Sequence, residues 1–164
     1  MALVGPVFIL MIVFLFETFL YFFVQQALDT ATASAARQIQ IGNAQGQAPS
    51  SAAFLSSVLC PNLSGLLSCG NVQLTVSTVA NFYDTAGYTV PTKNGQLDTT
   101  QFPYCNAAPG QLVLVHAVYL APVWFASFFS TAISYGGSAV LPIVSTAAFI
   151  TESFPSTGTV SNGC

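Results

Sequence analysis

Charge is what this sequence has least of. Only Glu17, Asp29, Arg37, Asp84, Lys93, Asp98 and Glu152 are formally charged, 4% of 164 residues, against ~25% in ordinary soluble domains. A free monomer with so bare a surface is poorly soluble. The composition therefore favours a membrane, or a polymer whose copies cover one another. Two basic residues build no electrostatic footprint for a phosphate backbone, so nucleic acid is excluded as a partner. Disorder is excluded from the opposite side, because 53% hydrophobic and 13% aromatic residues reverse the disordered signature.

Catalytic and metal-binding residues are equally scarce. There is one histidine, His116, and the sequence has neither a CxxC pair nor a Gly-rich phosphate loop nor an internal repeat. Zinc lacks ligands at the right spacing, and covalent haem lacks its CxxCH. Nucleophilic catalysis needs a base beside a serine or cysteine, whereas His116 sits in a strand-like run where a packed or solvent-facing residue is the ordinary reading. Asp84 and Asp98 lie in a turn-rich loop and read as solvated turn residues, not as a converging hydrolytic pair. No cofactor, no metal and no enzymatic activity are expected.

What the sequence does have is a long apolar run. Residues 1–24 contain one charge, Glu17, and a helix of that length spans the ~30 Å hydrocarbon core of a bilayer. A signal peptide would carry a basic start and a short apolar core, but no Lys or Arg precedes Arg37, so the run is expected to be retained. The next segment keeps a helical period through Leu28, Ala31, Ala35 and Ile39. Arg37 suits the C-terminal dipole, and Gly42 is a plausible stop. The expectation is a single helix of about 40 residues, roughly 60 Å long, with Pro6 near its start, where a missing donor matters least.

Beyond the helix the period changes. "GNAQGQAPSSAAFLSSVLCPNLSGLLSC" reads as a loop, a short helix around Ala52–Val58 and a clipped loop. "VQLTVSTV", "QLVLVHAVYL" and "LPIVSTAAFI" alternate as strands. The intervening "DTAGYTVPTKNGQLDTTQFPYC" is turn-rich, contains Asn-Gly, and is expected to be a surface excursion. Three or four antiparallel strands against the amphipathic half of the helix give an α+β layout. Residues 117–133 form a second uncharged apolar stretch, for which a second membrane helix is the alternative by length. Pro122 and the following "SYGGSAVLP" argue for a strand ending near Pro122 and then an apolar helix or loop, with Trp124, Phe125, Phe128 and Phe129 as an intersubunit patch.

Four cysteines behind an apolar segment suit an oxidising compartment. The local pair Cys60 and Cys69 is expected to close one bridge, which leaves Cys105 for Cys164, although three pairings are formally open. Three segments result: 1–24, a membrane or filament-core helix; 25–45, its amphipathic continuation; and 46–164, a disulfide-clipped, β-rich extracytoplasmic domain.

The stretch from Met1 to Gln45 resembles the N-terminus of TadE-like pseudopilins of the tight-adherence (Flp) pilus system. Met1 to Pro6 match the last part of V-E-F-A-L-V-x-P, Glu17 the internal acid, and Ala35 to Gln45 the closing A-A-R-x-I-x-x-G-x-A-Q. "FLSSVLC", "LVLVHAVYLAPV" and "STAAFITESF" extend the resemblance to residue 155, with Glu152 at the acid of the family's ending. The chain departs at its start, where the family's Glu before F-A-L-V and a basic leader are missing; a mature or truncated form, or different processing, is the expectation. The resemblance implies a type IV pilin-like protein that is cut by a prepilin peptidase and held in the inner membrane. The assembly machinery then extracts it into an extracellular filament. Copies of the chain are the expected partners, with Met1, Pro6, Glu17, Thr18, Tyr21 and Gln25 in the helical core and Glu17 setting the register. The Ser/Thr-rich exterior is compatible with glycans. The main alternatives are a minor pseudopilin that primes assembly and a monomeric, membrane-anchored binding module.

Overall fold

The structure, a computed structural model, describes residues 4–44, 48, 50–63, 65, 67–85, 88–122 and 132–154. Helix α1 runs unbroken over Val4–Gln40. It ends as the sequence requires. Gly42 takes φ +78° and donates its N–H to Ile39 O at 3.1 Å, a left-handed conformation that side chains disfavour. The ring of Phe154 lies against it, and a Cβ on Gly42 would meet that ring at 2.5 Å.

A short second helix, α2 (Ser51–Phe54), starts at Ser50, whose Oγ accepts from Ala53 N–H at 3.3 Å. It widens into a π turn at Leu55–Leu59 in place of the simple α-helix expected to Val58. Ser56 and Ser57 both donate their hydroxyls to Ala53 O, a local competition that loosens helical hydrogen bonding. A 3₁₀ turn, Cys60–Asn62, leads to the Cys60–Cys69 disulfide (Cα–Cα 5.6 Å).

Six strands follow: β1 (Val72–Thr78), β2 (Thr92–Lys93), β3 (Gln96–Leu97), β4 (Leu112–Pro122), β5 (Ile133–Tyr135) and β6 (Ser138–Ile150). They form one curled sheet of order β1-β4-β6-β5-β3-β2. The centre is antiparallel, with Val76↔Val115↔Ala147 in register. One bridge, Gln96↔Ser134, is parallel, so the sheet is mixed and carries more strands than the three or four expected. The segment "SYGGSAVLP", expected only to break a helix, is the turn of the β5–β6 hairpin and the start of β6, with Gly136 and Gly137 both at positive φ. Asn94 and Gly95 (φ 54° and 75°) turn β2 into β3, as an Asn-Gly pair does in a tight hairpin.

Alternation splits the sheet into two faces. Val72, Leu74, Val76, Val113, Val115, Ala117, Tyr119 and Ile143 face α1 and meet its buried Leu28, Ala31, Ala35 and Ile39. The opposite face holds Val118, Leu120 and Val140, which are covered by Leu97, Tyr88, Val90 and Phe102 from the excursion. The excursion is therefore partly a lid over a second core. Among the described residues no strand pairs with the outer edge of β6 beyond β5. Pro142, which has no N–H to leave exposed, falls on that edge, and Gln25 Nε2 donates to Val144 O there at 3.2 Å.

Candidate functional site

The largest unsatisfied feature is the first half of α1. Every large apolar side chain from Val4 to Phe23 is exposed, from 37% at Tyr21 to 70% at Val4. The sequence makes a strong helix there, and no charge breaks it except Glu17. At about 1.5 Å per residue the twenty steps from Val4 to Val24 cover about 30 Å, so the helix is long and apolar enough to cross a membrane.

Polar groups are confined to one side of this half. At about 100° per residue, Glu17, Tyr21, Gln25 and Thr18 fall within an arc of about 100°. The same arc continues down the helix through Leu28, Thr32, Ala35 and Ile39, the residues buried on the sheet side. The stripe that carries Glu17 is thus the extension of the stripe that docks the domain. Thr18 Oγ1 donates to Phe14 O at 2.8 Å, a hydroxyl satisfied within its own helix. The Tyr21 ring stands edge-on to Phe22, with centroids 6.0 Å apart. Gln25 Nε2 bonds both Asp29 Oδ1 (3.1 Å) and Val144 O (3.2 Å). Gln25 is therefore a joint between helix and sheet, a role the sequence did not signal because it depends on the partner strand. Pro6 lies in the first turn as expected.

Met1, Trp124, Phe125, Phe128, Phe129 and Cys164 lie outside the described residues. The Cys60–Cys69 bridge is present. No described cysteine is free, and the partner expected for Cys105 is Cys164.

His116 is buried, not solvent-facing, at 3% exposure. Its Nδ1 lies 2.8 Å from Thr146 Oγ1, and the Tyr88 ring stacks on it at 3.8 Å and 19°. Thr75, His116 and Thr146 form one cross-strand row, a polar line on the sheet face away from α1 that runs from buried Thr75 and His116 to exposed Thr146 and that no strand-by-strand reading could assemble. Burial lowers the His116 pKa. It raises that of the Tyr88 phenol, with an opposing effect from the Thr75 hydroxyl. Tyr104 packs on Phe54 and donates its OH to Ala48 O at 3.0 Å; burial pushes its pKa up to about 12. Asp98 caps a 3₁₀ turn, and hydrogen bonds from Thr100 lower its pKa. Among the described residues no three His, Cys, Asp or Glu side chains group together to hold a metal ion.

A sequence model of the TadE-like protein family matches residues 1–37, most of α1, including Glu17, Thr18, Tyr21 and Gln25. It coincides with the N-terminal part of the motif-level resemblance, so the similarity found by comparison is confined to this segment. Comparison with curated proteins and with solved structures gave no match.

Proposed function

We propose that this TadE-like chain is a structural, pilin-like subunit that polymerises through its N-terminal helix into an extracellular filament and supports attachment to surfaces. The observation that carries the reading is the exposed apolar half of α1. It is continuous with the half that holds the domain, so packing of these helices would carry each domain outside the core. In this reading residues 1–24 rest in the inner membrane before assembly, 25–45 continue the helix, and 46–164 form the exterior domain, clipped also by a Cys105–Cys164 bridge. The partners are copies of the chain, with a prepilin peptidase and inner-membrane machinery acting before extraction, and glycans are compatible with the exterior. The protein acts as a building element and not as a catalyst.

Within a bundle Glu17 sets the register. A carboxylate among apolar helices is costly unless paired, so a neighbour stagger that brings a Thr18, Tyr21 or Gln25 group, or an N-terminal amine, opposite Glu17 is favoured over others. Trp124, Phe125, Phe128 and Phe129 form an intersubunit patch in the same assembly. The family match favours a second reading, a minor pseudopilin that primes a fibre made of another subunit.

Electron microscopy of material sheared from cells, with intact mass of the dominant chain, separates the two. Fibres built mainly of this polypeptide support the subunit reading, and fibres lacking it sink that reading. Glu17→Gln, which keeps shape and hydrogen bonding, is expected to reduce fibre yield severely, and normal yield would remove the ionic role.

A further inference from the structure

Two hydrogen bonds fix the course of β6 relative to α1. Gln25 Nε2 donates to Val144 O, and Glu152 N–H donates to Gln40 O at 2.9 Å. Between these ties the helix advances about 22 Å and the strand about 26 Å. The two elements therefore run in the same direction at a shallow angle. Followed back from Val144, the strand heads toward the N-terminal end of the helix. Ser138 is about 20 Å further along it. Val144 is already level with Gln25, where the apolar run ends. Every large apolar side chain of α1 before Val24 remains exposed, so the strand leaves the helix there instead of following it, and the start of β6, the hairpin to β5 and the Pro122 end of β4 lie beside the membrane boundary.

The chemistry at this end agrees with that position. Residues 99–151 contain no Asp, Glu, Lys or Arg. Odd-numbered residues of β6 face the helix side. Phe149, Ala147 and Ile143 pack there with the core, and the same face then continues past the helix contact as Leu141 and Ala139. Ala121 is paired with Leu141, and Ser134 with Ala139. Ala139 is exposed, and Ala121, Ser134 and Leu141 are half-buried. Beyond β5 in the sheet come Lys93 on β2 and Asp98 directly after β3. Charges of both signs suit a headgroup layer and not a hydrocarbon core.

We propose that this face, formed by Ala121, Ser134, Ala139 and Leu141, rests in the headgroup layer of the bilayer that α1 crosses. The domain then has two contacts with the membrane, and its tilt about the helix is fixed before any extraction. The proposal rests on the membrane reading of α1, and its test separates the two.

Full-length protein in phospholipid nanodiscs, in a Trp124→Phe background, takes one tryptophan at a time: Phe14→Trp in the apolar helix, Ala139→Trp on the strip, and Tyr83→Trp at the opposite end of the sheet, where the tyrosine is 93% exposed. Lipids brominated near the top of the acyl chain are the quencher for the strip positions and Tyr83→Trp, and lipids brominated near the chain end are the quencher for Phe14→Trp, which lies at the middle of the span. Ala139→Trp is expected to be quenched severalfold more than Tyr83→Trp and to be the less accessible to iodide. Ser138→Trp, in the exposed turn, gives an independent reading should the ring at 139 disturb the hairpin. If Phe14→Trp is quenched while both strip positions behave like Tyr83→Trp, the proposal is overturned. If Phe14→Trp is itself unquenched, the membrane reading falls and the proposal with it.

Discussion

The two halves of α1 have the same secondary structure and opposite surroundings. From Val4 to Phe23 the side chains are large, apolar and exposed. From Leu28 to Ile39 the buried positions between the two end residues are small, Ala31, Thr32, Ala35 and Ala36, with Leu28 and Ile39 at the ends. The difference shows what each half is built to meet. Small side chains let the sheet come close to the helix, and a close approach fixes one geometry. Large flexible ones make a surface that lipid or other helices can cover in several ways.

The sharpest way to break this comparison is to make the same cut in both halves. Leu28→Ala removes a fully buried side chain and is expected to cost about 2–5 kcal/mol of domain stability. Leu10→Ala, at a position 64% exposed, is expected to stay within about 0.5 kcal/mol. Urea unfolding of the full-length protein in detergent micelles, followed by near-UV circular dichroism, reads both, and equal losses would refute the division. The next test concerns the end of the docked half. Gly42→Ala forces a Cβ into a left-handed backbone and against the Phe154 ring, at an expected cost of about 1–3 kcal/mol. Adding Phe154→Ala should make the pair less than additive; strict additivity would show that the ring is not the obstacle.

The smallest effect belongs to the face that α1 does not touch. His116 has a pKa lowered by burial, so the unfolded chain takes up a proton before the folded one does. Its contribution to stability is present above the unfolded value of about 6.5 and is lost as pH falls toward the folded one. Facing it are Thr75 and Thr146, which do not titrate in this range, and the Tyr88 phenol, which is neutral there. Thermal melts between pH 7.5 and 5 should therefore fall less steeply for His116→Gln than for the parent. Parallel curves would assign the acid response elsewhere.

Much of the helix was legible because its signals are local. The apolar run, the three- and four-residue recurrence of Leu28, Ala31, Ala35 and Ile39, and the stop at Gly42 all sit within one element. The strand centres and the Asn94–Gly95 turn were legible for the same reason. Strand pairing was not. That Val144 would reach Gln25, that Thr75, His116 and Thr146 would align, and that Leu97 would cap an outer core are facts of register and curl. They depend on residues far apart in sequence. The Gly136–Gly137 pair was legible only in part: a signal that breaks a helix is equally one that turns a hairpin, and the neighbouring strands decide that it does both here.

The near-parallel course of α1 and β6 has a mechanical consequence. A pull along the helix, as in drawing it out of a bilayer, reaches the sheet through the Gln25–Val144 and Gln40–Glu152 ties. The force then acts along the β4–β6 ladder, whose register runs from Leu112↔Ile150 to Pro122↔Val140. The ladder is loaded in shear, with its hydrogen bonds sharing the tension together instead of opening one after another, so the domain is oriented to withstand traction along its own stalk.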